Sequence, residues 1–348
     1  MNIEEMAVPA HFDPDKVGEV WRVEYPARAE EAEKWAKEYQ IARAAADRFK
    51  ICLLLVDVQN TFCIPGYELY VAGRSGTGAV DDNVRLCRFI YRHLHAITEI
   101  VPTMDTHHPI QVFHGVFLVN DKGEHPAPLT IVTEDDLLQG RWRFNENLAD
   151  RLGITPEYGQ QYLIHYARQL KESGKYDYII WPYHAMIGGI GHALVPAVEE
   201  ALFFHAMARA TEPDYHVKGE NAFTEHYSVL GPEVTRDPEG RPLAERNEKI
   251  LNKLIENDMV VIAGQAKSHC VAWTISDLLS DVKAYDEKLL EKVYILEDCT
   301  SPVVVPGVVD YTDASDRIFK RFADAGMHLV HSTQPIADWP SIRKTDDA

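Results

Sequence analysis

Apolar and polar positions fall into blocks of two kinds along this chain. Residues 51–59 (ICLLLVDVQ) form an unbroken apolar run closed by polar residues, the pattern of a parallel strand buried on both faces. Comparable runs recur at 98–105 (TEIVPTMD), 176–184 (YDYIIWPYH), 214–218 (DYHVK), 259–264 (MVVIAG) and 292–298 (KVYILED). Between them the apolar residues take helical spacing, at 79–97, 192–210, from Cys270 onward, and at 312–326 with Gly326 as a stop. Strands alternating with helices of this length predict an α/β fold: a doubly wound, mainly parallel six-stranded sheet with helices on both faces. MHLVHS (327–332) follows the last helix.

Two regions break the alternation. Residues 26–50 read as a charged amphipathic helix, so 1–50 form an N-terminal arm and helix, either packed on the surface or contacting a second copy. The remainder, 51–348, reads as one domain with an insertion between the second and third strands, at about 115–175. Within it, 116–133 resembles a hairpin turning at Asp121-Lys122-Gly123. Residues 155–174 read as a helix with Thr155 as N-cap, Pro156 at its first position and Gly174 as stop. Residues 235–247 read as a polar surface loop.

Charge and cysteine usage narrow the class. The net charge of −19 and the lack of a Lys/Arg cluster argue against nucleic acid and against an anionic membrane surface. Five scattered cysteines without a CxxC pair suggest reduced thiols in a cytoplasm. No apolar run reaches membrane-spanning length, and the acidic N-terminus is not a signal peptide. A cytoplasmic protein acting on a small molecule is the expectation, with a homo-oligomer as its assembly.

In open α/β sheets, ligands bind beyond the carboxyl ends of the strands. Those ends deliver Asp57, then Asp105 with His107 and His108, then Trp181 and His184, then Lys218, then the turn GQAKSHC carrying Cys270. Alone, each has an ordinary reading: a turn cap for Asp57, a solvated surface lysine for Lys218, a small buried apolar residue for Cys270. Together they describe nucleophilic catalysis. A thiol at a helix N-terminus beside a lysine is biased toward thiolate. An aspartate can take its proton and return it to a leaving amine. Backbone amides of the turn can face a developing oxyanion. Asp105, His107 and His184 offer an O/N/N set suited to Zn²⁺ first, or to Fe²⁺ or Mn²⁺.

Six segments in order resemble the isochorismatase-like cysteine hydrolases, and among them the nicotinamidases: LLLVDVQNTF, TMDTHHP, WPYH, VKGENAFTEHYS, AGQAKSHCV and VYILEDCTS, spread over about 50–335. The resemblance implies the fold of that family, a triad of Asp57, Lys218 and Cys270, and a cis peptide between Gln265 and Ala266. It also implies an oxyanion hole from the amides of Ala266 and Cys270. Phe62, Trp181 and Gln265 would then meet the substrate, and Asp105, His107 and His184 the metal, with His114 as a further candidate ligand. The activity implied is hydrolysis of a small carboxamide through a thioester, with nicotinamide to nicotinate plus ammonia as the leading case. Lys267-Ser268 stands where the family has Thr-Asp. That departure keeps two alternatives open: a maleamate-, ureido- or biuret-type amide as substrate, or a catalytically silent binding protein of the same fold.

Overall fold

The computed structural model describes residues 5–174 and 176–342. Residues 1–4, Lys175 and 343–348, which the arm, the insertion bound and the domain end include, lie outside the described residues. The chain divides into two compact units. The first comprises residues 1–104, 193–216 and 248–348; the second comprises 105–192 and 217–247.

The strands of the main sheet are β1 (Ile51–Val56), β2 (Glu99–Asp105), β3 (His216–Lys218), β4 (Met259–Gly264), β5 (Val293–Leu296) and β6 (His328–Val330). Their order is β6-β5-β4-β1-β2-β3. The pairings β1–β2, β1–β4, β4–β5 and β5–β6 are all parallel. Every residue of β1 and β4 is buried, as their continuous apolar runs require. The helices of the first unit are α1 (Tyr25–Glu38), α2 (Gly78–Arg92), α4 (Pro196–Arg209), α5 (Glu248–Glu256), α6 (Cys270–Tyr285) and α7 (Thr312–Asp324). Crossovers from β1 to β2 to β3 run one way across the sheet, and those from β3 through β4 and β5 to β6 run back. Right-handed crossovers therefore put α2 and α4 on one face and α5, α6 and α7 on the other. Packing of α2 and α1 on α4, and of α7 on α6, agrees with that division. The direction of winding changes between β1 and β4, which makes their carboxyl ends the topological switch point.

Three local expectations need correction. Residues 176–184 do not supply a strand of the main sheet. Tyr178–Ile179 pairs antiparallel with Ile131–Val132 in the second unit, and β6 is the sixth strand instead. Apolar character alone does not choose between two such runs; the available partner edge does. The stretch 116–133 has the expected turn, with Gly123 at φ +78° and its N–H donating to the Asn120 carbonyl. It is not a hairpin, because Leu118–Val119 pairs with Arg143–Phe144. Pro126 and Pro128 lack the N–H groups a returning strand would donate. The N-terminal helix stops at Glu38 rather than running to residue 50. Gln40 adopts φ +52°, and the Ile41 N–H donates to Ala36, closing the helix as a Schellman turn.

In the second unit, α3 (Pro156–Ser173) has the expected ends. Thr155 accepts from the Tyr158 N–H, and Gly174 is left-handed. Gly159 is needed there, since a Cβ at that position would lie 2.4 Å from the Phe144 ring. Tyr162, Tyr166, Tyr178, Phe117, Phe144 and Phe223 make the unit's aromatic core. No helix among the described residues is long and apolar enough to cross a membrane.

Candidate active site

The switch point in the first unit carries Asp57 and Cys270. Asp57 follows β1, is fully buried, and sits at φ +49°, a conformation that is uncommon outside glycine and concentrates at functional sites. Thr103 of β2 holds it twice: its Oγ1 accepts from the Asp57 N–H at 3.1 Å and donates to Oδ1 at 2.5 Å. Thr103 was not singled out from the sequence. The parallel register, with Leu55 opposite Pro102, is the signal that places it beside the end of β1.

On the neighbouring strand, β4 ends at Gly264, paired with Val56. A Cβ on Gly264 would lie 2.0 Å from the Val56 carbonyl oxygen, so only glycine lets the two backbones approach. The Gln265–Ala266 peptide is cis. Gln265 donates its backbone N–H to Val56 and its Nε2 to Asp82 of α2, and its Oε1 accepts from the Ser301 N–H. Both ends of this amide are therefore held by the scaffold. Asp82 is 2% exposed; burial pushes its carboxyl up to about 6, against hydrogen bonds from Ser301 and Gln265. Cys270 opens α6 and is 7% exposed. Its position at the start of a sixteen-residue helix puts the thiol at the positive end of the helix dipole. Phe62 lies in the helical turn Asn60–Cys63 of the same unit and is 7% exposed.

The second unit gathers Asp105, His107 and His184, whose ligand atoms all lie within 4.8 Å of one another. His107 Nε2 is 2.8 Å from Asp105 Oδ2, and His184 Nε2 is 3.5 Å from the same oxygen. Their other ring nitrogens meet backbone carbonyls: His107 Nδ1 is 3.2 Å from Gly219 O, and His184 Nδ1 is 2.8 Å from Pro182 O. A carbonyl can only accept, so in both rings Nδ1 carries a proton and Nε2 is the atom turned toward Asp105. Metal-binding histidines are commonly oriented this way, one ring N–H held by a backbone carbonyl so that the other nitrogen points to the ligand position. His114 follows the same rule, with Nδ1 3.2 Å from Pro109 O, and its buried Nε2 has no hydrogen-bond partner among the described residues. Its ring centroid lies 6.1 Å from that of His107 and 6.4 Å from that of His184, which themselves are 4.6 Å apart. The donor set and the orphaned His114 nitrogen both fit a divalent cation. His108 is excluded from the cluster, since its side chain is 46% exposed and lies 3.9 Å from Glu220.

Charges here are balanced internally. Burial alone would raise the Asp105 carboxyl, but the His107 and Lys218 charges hold it well below the usual carboxylate range. Burial opposes the His107 cation, yet the Asp105 charge raises that imidazole overall. Burial, aided by His184, lowers His114 to about 3, so it is a neutral imidazole. Lys218 donates to Asp105 Oδ1 at 2.9 Å and to the His226 carbonyl at 2.8 Å. Gly219, at φ +91°, brings its backbone so close that a Cβ would lie 2.8 Å from His107 Cε1. Gln111 fixes that glycine by donating to its carbonyl at 2.6 Å. Trp181, 7% exposed, donates its Nε1 to Tyr227 Oη at 3.0 Å. Gln111 and Tyr227 carry no sequence signal beyond being polar residues close to a candidate ligand or on the lysine segment.

No family model and no curated relative matches the chain. Among solved structures it is similar to the yeast nicotinamidase bound to nicotinaldehyde, at 18% identity and TM-score 0.49, covering 81% of this chain and 99% of the other. It is similar to the nicotinamidase of Acinetobacter baumanii at 18% identity and TM-score 0.46, covering 82% and 97%. It is also similar to the N-carbamoylsarcosine amidase of Thermoplasma acidophilum at 16% identity and TM-score 0.39, covering 82% and 98%.

Proposed function

We propose that this chain is an isochorismatase-like cysteine amidohydrolase that cleaves a small carboxamide, with nicotinamide to nicotinate plus ammonia as the leading reaction. One observation carries the reading: a buried thiol opens α6 in the turn leaving β4, and the adjacent strand β1 ends on a strained, buried aspartate. In this reading Asp57 takes the Cys270 proton and the thiolate attacks the carbonyl carbon. The amides of Ala266 and Cys270 receive the oxyanion. Collapse expels the amine, to which Asp57 returns the proton, leaving a thioester. Water, deprotonated by Asp57, then releases the acid and restores the thiol. Lys218 is proposed as the third member of the triad on the segment VKGENAFTEHYS that carries it. Phe62, Trp181 and Gln265 are the residues proposed to meet the substrate.

Asp105, His107 and His184, with His114, would hold a divalent cation, Zn²⁺ first and Fe²⁺ or Mn²⁺ as alternatives. The cation would supply a Lewis-acidic anchor for a ring nitrogen. The support is the common orientation of the histidines, each with Nδ1 toward a backbone carbonyl.

The test is ammonia release from nicotinamide, pyrazinamide, maleamate and biuret by purified protein, beside Cys270→Ala. Turnover of nicotinamide that disappears in the variant is the expected result. Preference for another amide would move the substrate assignment, and no turnover across the panel would sink the amidohydrolase reading.

A further inference from the structure

Lys267 stands in the turn between β4 and Cys270, and the mechanism above gives it no part. It is 6% exposed, which is rare for a lysine without a specific partner. Its Nζ lies 2.7 Å from Asp316 Oδ1 and 3.2 Å from Glu297 Oε1. It also sits 4.6 Å from the centroid of the Phe319 ring. Asp316 and Phe319 belong to α7, and Glu297 opens the turn Glu297–Cys299 after β5. The backbone of the same stretch is tied nearby: the Lys267 N–H donates to Ser301 O at 2.8 Å, and the Val303 N–H donates to Ser268 Oγ at 3.0 Å.

We infer that Lys267 is a positioning residue for the nucleophile turn, an ionic brace that fastens the segment between the cis peptide and Cys270 to α7. This rests on the reading of Cys270 as the nucleophile. Two carboxylates and an aromatic face take up the ammonium, so it acts through the turn's position and not as a charge offered to an anionic substrate. The backbone hydrogen bonds to Ser301 and Val303 set the turn's height against the neighbouring chain. The Lys267 side chain adds a lateral anchor on a different element. The segment it anchors carries the Ala266 and Cys270 amides, where a displacement of about 1 Å costs on the order of 100-fold in rate.

Three variants of the full-length protein test this: Lys267→Met, Lys267→Arg and the pair Glu297→Gln/Asp316→Asn. Lys267→Met should lower kcat about 10- to 100-fold with KM changed less than about twofold, and Lys267→Arg should recover most of the loss. The carboxylate pair should reproduce the loss with the lysine still in place. Amide hydrogen exchange across 265–270 should speed at least about tenfold in Lys267→Met. The pH profile of Cys270 alkylation should stay where it is. A shift of that profile by about one pH unit would mean that the ammonium acts as a charge, which overturns the brace. Unchanged exchange at 265–270 overturns it too. If the wild type hydrolyses no amide, the proposed reaction fails while the exchange measurement still decides the brace.

Discussion

Replacing Asp105 by Asn keeps the side chain's size and removes its charge. The carboxylate is 3% exposed, and Lys218, 5% exposed, places Nζ 2.9 Å from it. At that separation the attraction is about 6 kcal/mol for an effective dielectric constant of 20. Part of it is offset by the cost of keeping both groups out of water, so the pair adds much less than that to net stability. Removing one partner is a different matter. The Lys218 ammonium and the His107 imidazole would stay buried with their shared anion gone, and such a loss costs about 3–5 kcal/mol. In chelator-treated protein, the urea midpoint of Asp105→Asn should fall by about 1–2 M, given a slope of about 3 kcal/mol per M. The double variant Asp105→Leu/Lys218→Met should be less destabilised than the sum of its two single changes, because it removes the Lys218 ammonium together with the anion that paired it. An Asp105→Asn variant within about 1 kcal/mol of wild type would refute this account of the pair.

Gly219→Ala places a methyl 2.8 Å from His107 Cε1 at a backbone φ of +91°, so divalent-cation affinity should fall at least about tenfold while the far-ultraviolet circular dichroism holds; isothermal titration with Zn²⁺ measures it. Gly264→Ala, which would press a Cβ to 2.0 Å from the Val56 carbonyl, should cost more than about 4 kcal/mol or yield no soluble protein, read by expression and thermal melting. His205 is held neutral by burial, its imidazole lowered to about 4 while its Nε2–H donates to Ile97 O. The unfolded chain therefore binds the extra proton first as pH falls below about 6.5, and stability drops by about 3 kcal/mol on the way to pH 4. His205→Gln should remove that part of the acid slope, and identical slopes in wild type and variant would contradict the assignment.

Much of the candidate site was legible because strand ends are legible. A closed apolar run followed by a polar residue marks where β1 stops, so Asp57 could be named, and the run MVVIAG followed by a helical pattern likewise exposed Cys270. The cis Gln265–Ala266 bond followed from family resemblance and is present. Spacing by itself does not choose between His107 and His108, since adjacent histidines are equivalent in a string; the resemblance of TMDTHHP to the family's segment is what named His107. Only the fold turns one ring toward Asp105 and the other toward solvent. Thr103 and Gln111 were likewise silent, because their parts depend on a neighbouring strand and a distant glycine carbonyl.

The division between the two sources of information is physical. Local periodicity, capping residues and strand-end chemistry depend on neighbours a few positions away, so the sequence alone determined the α/β class, the ends of α3 and the identity of the residues that could do chemistry. Pairing partners and side-chain direction depend on groups far apart along the chain. Tertiary structure therefore decided that 328–330 and not 176–184 completes the sheet, that the insertion's apparent hairpin pairs elsewhere, and that the Lys267 ammonium is taken up by Asp316 and Glu297. Each of these is a competition between similar local candidates, and the three-dimensional packing of the whole chain supplies the winner.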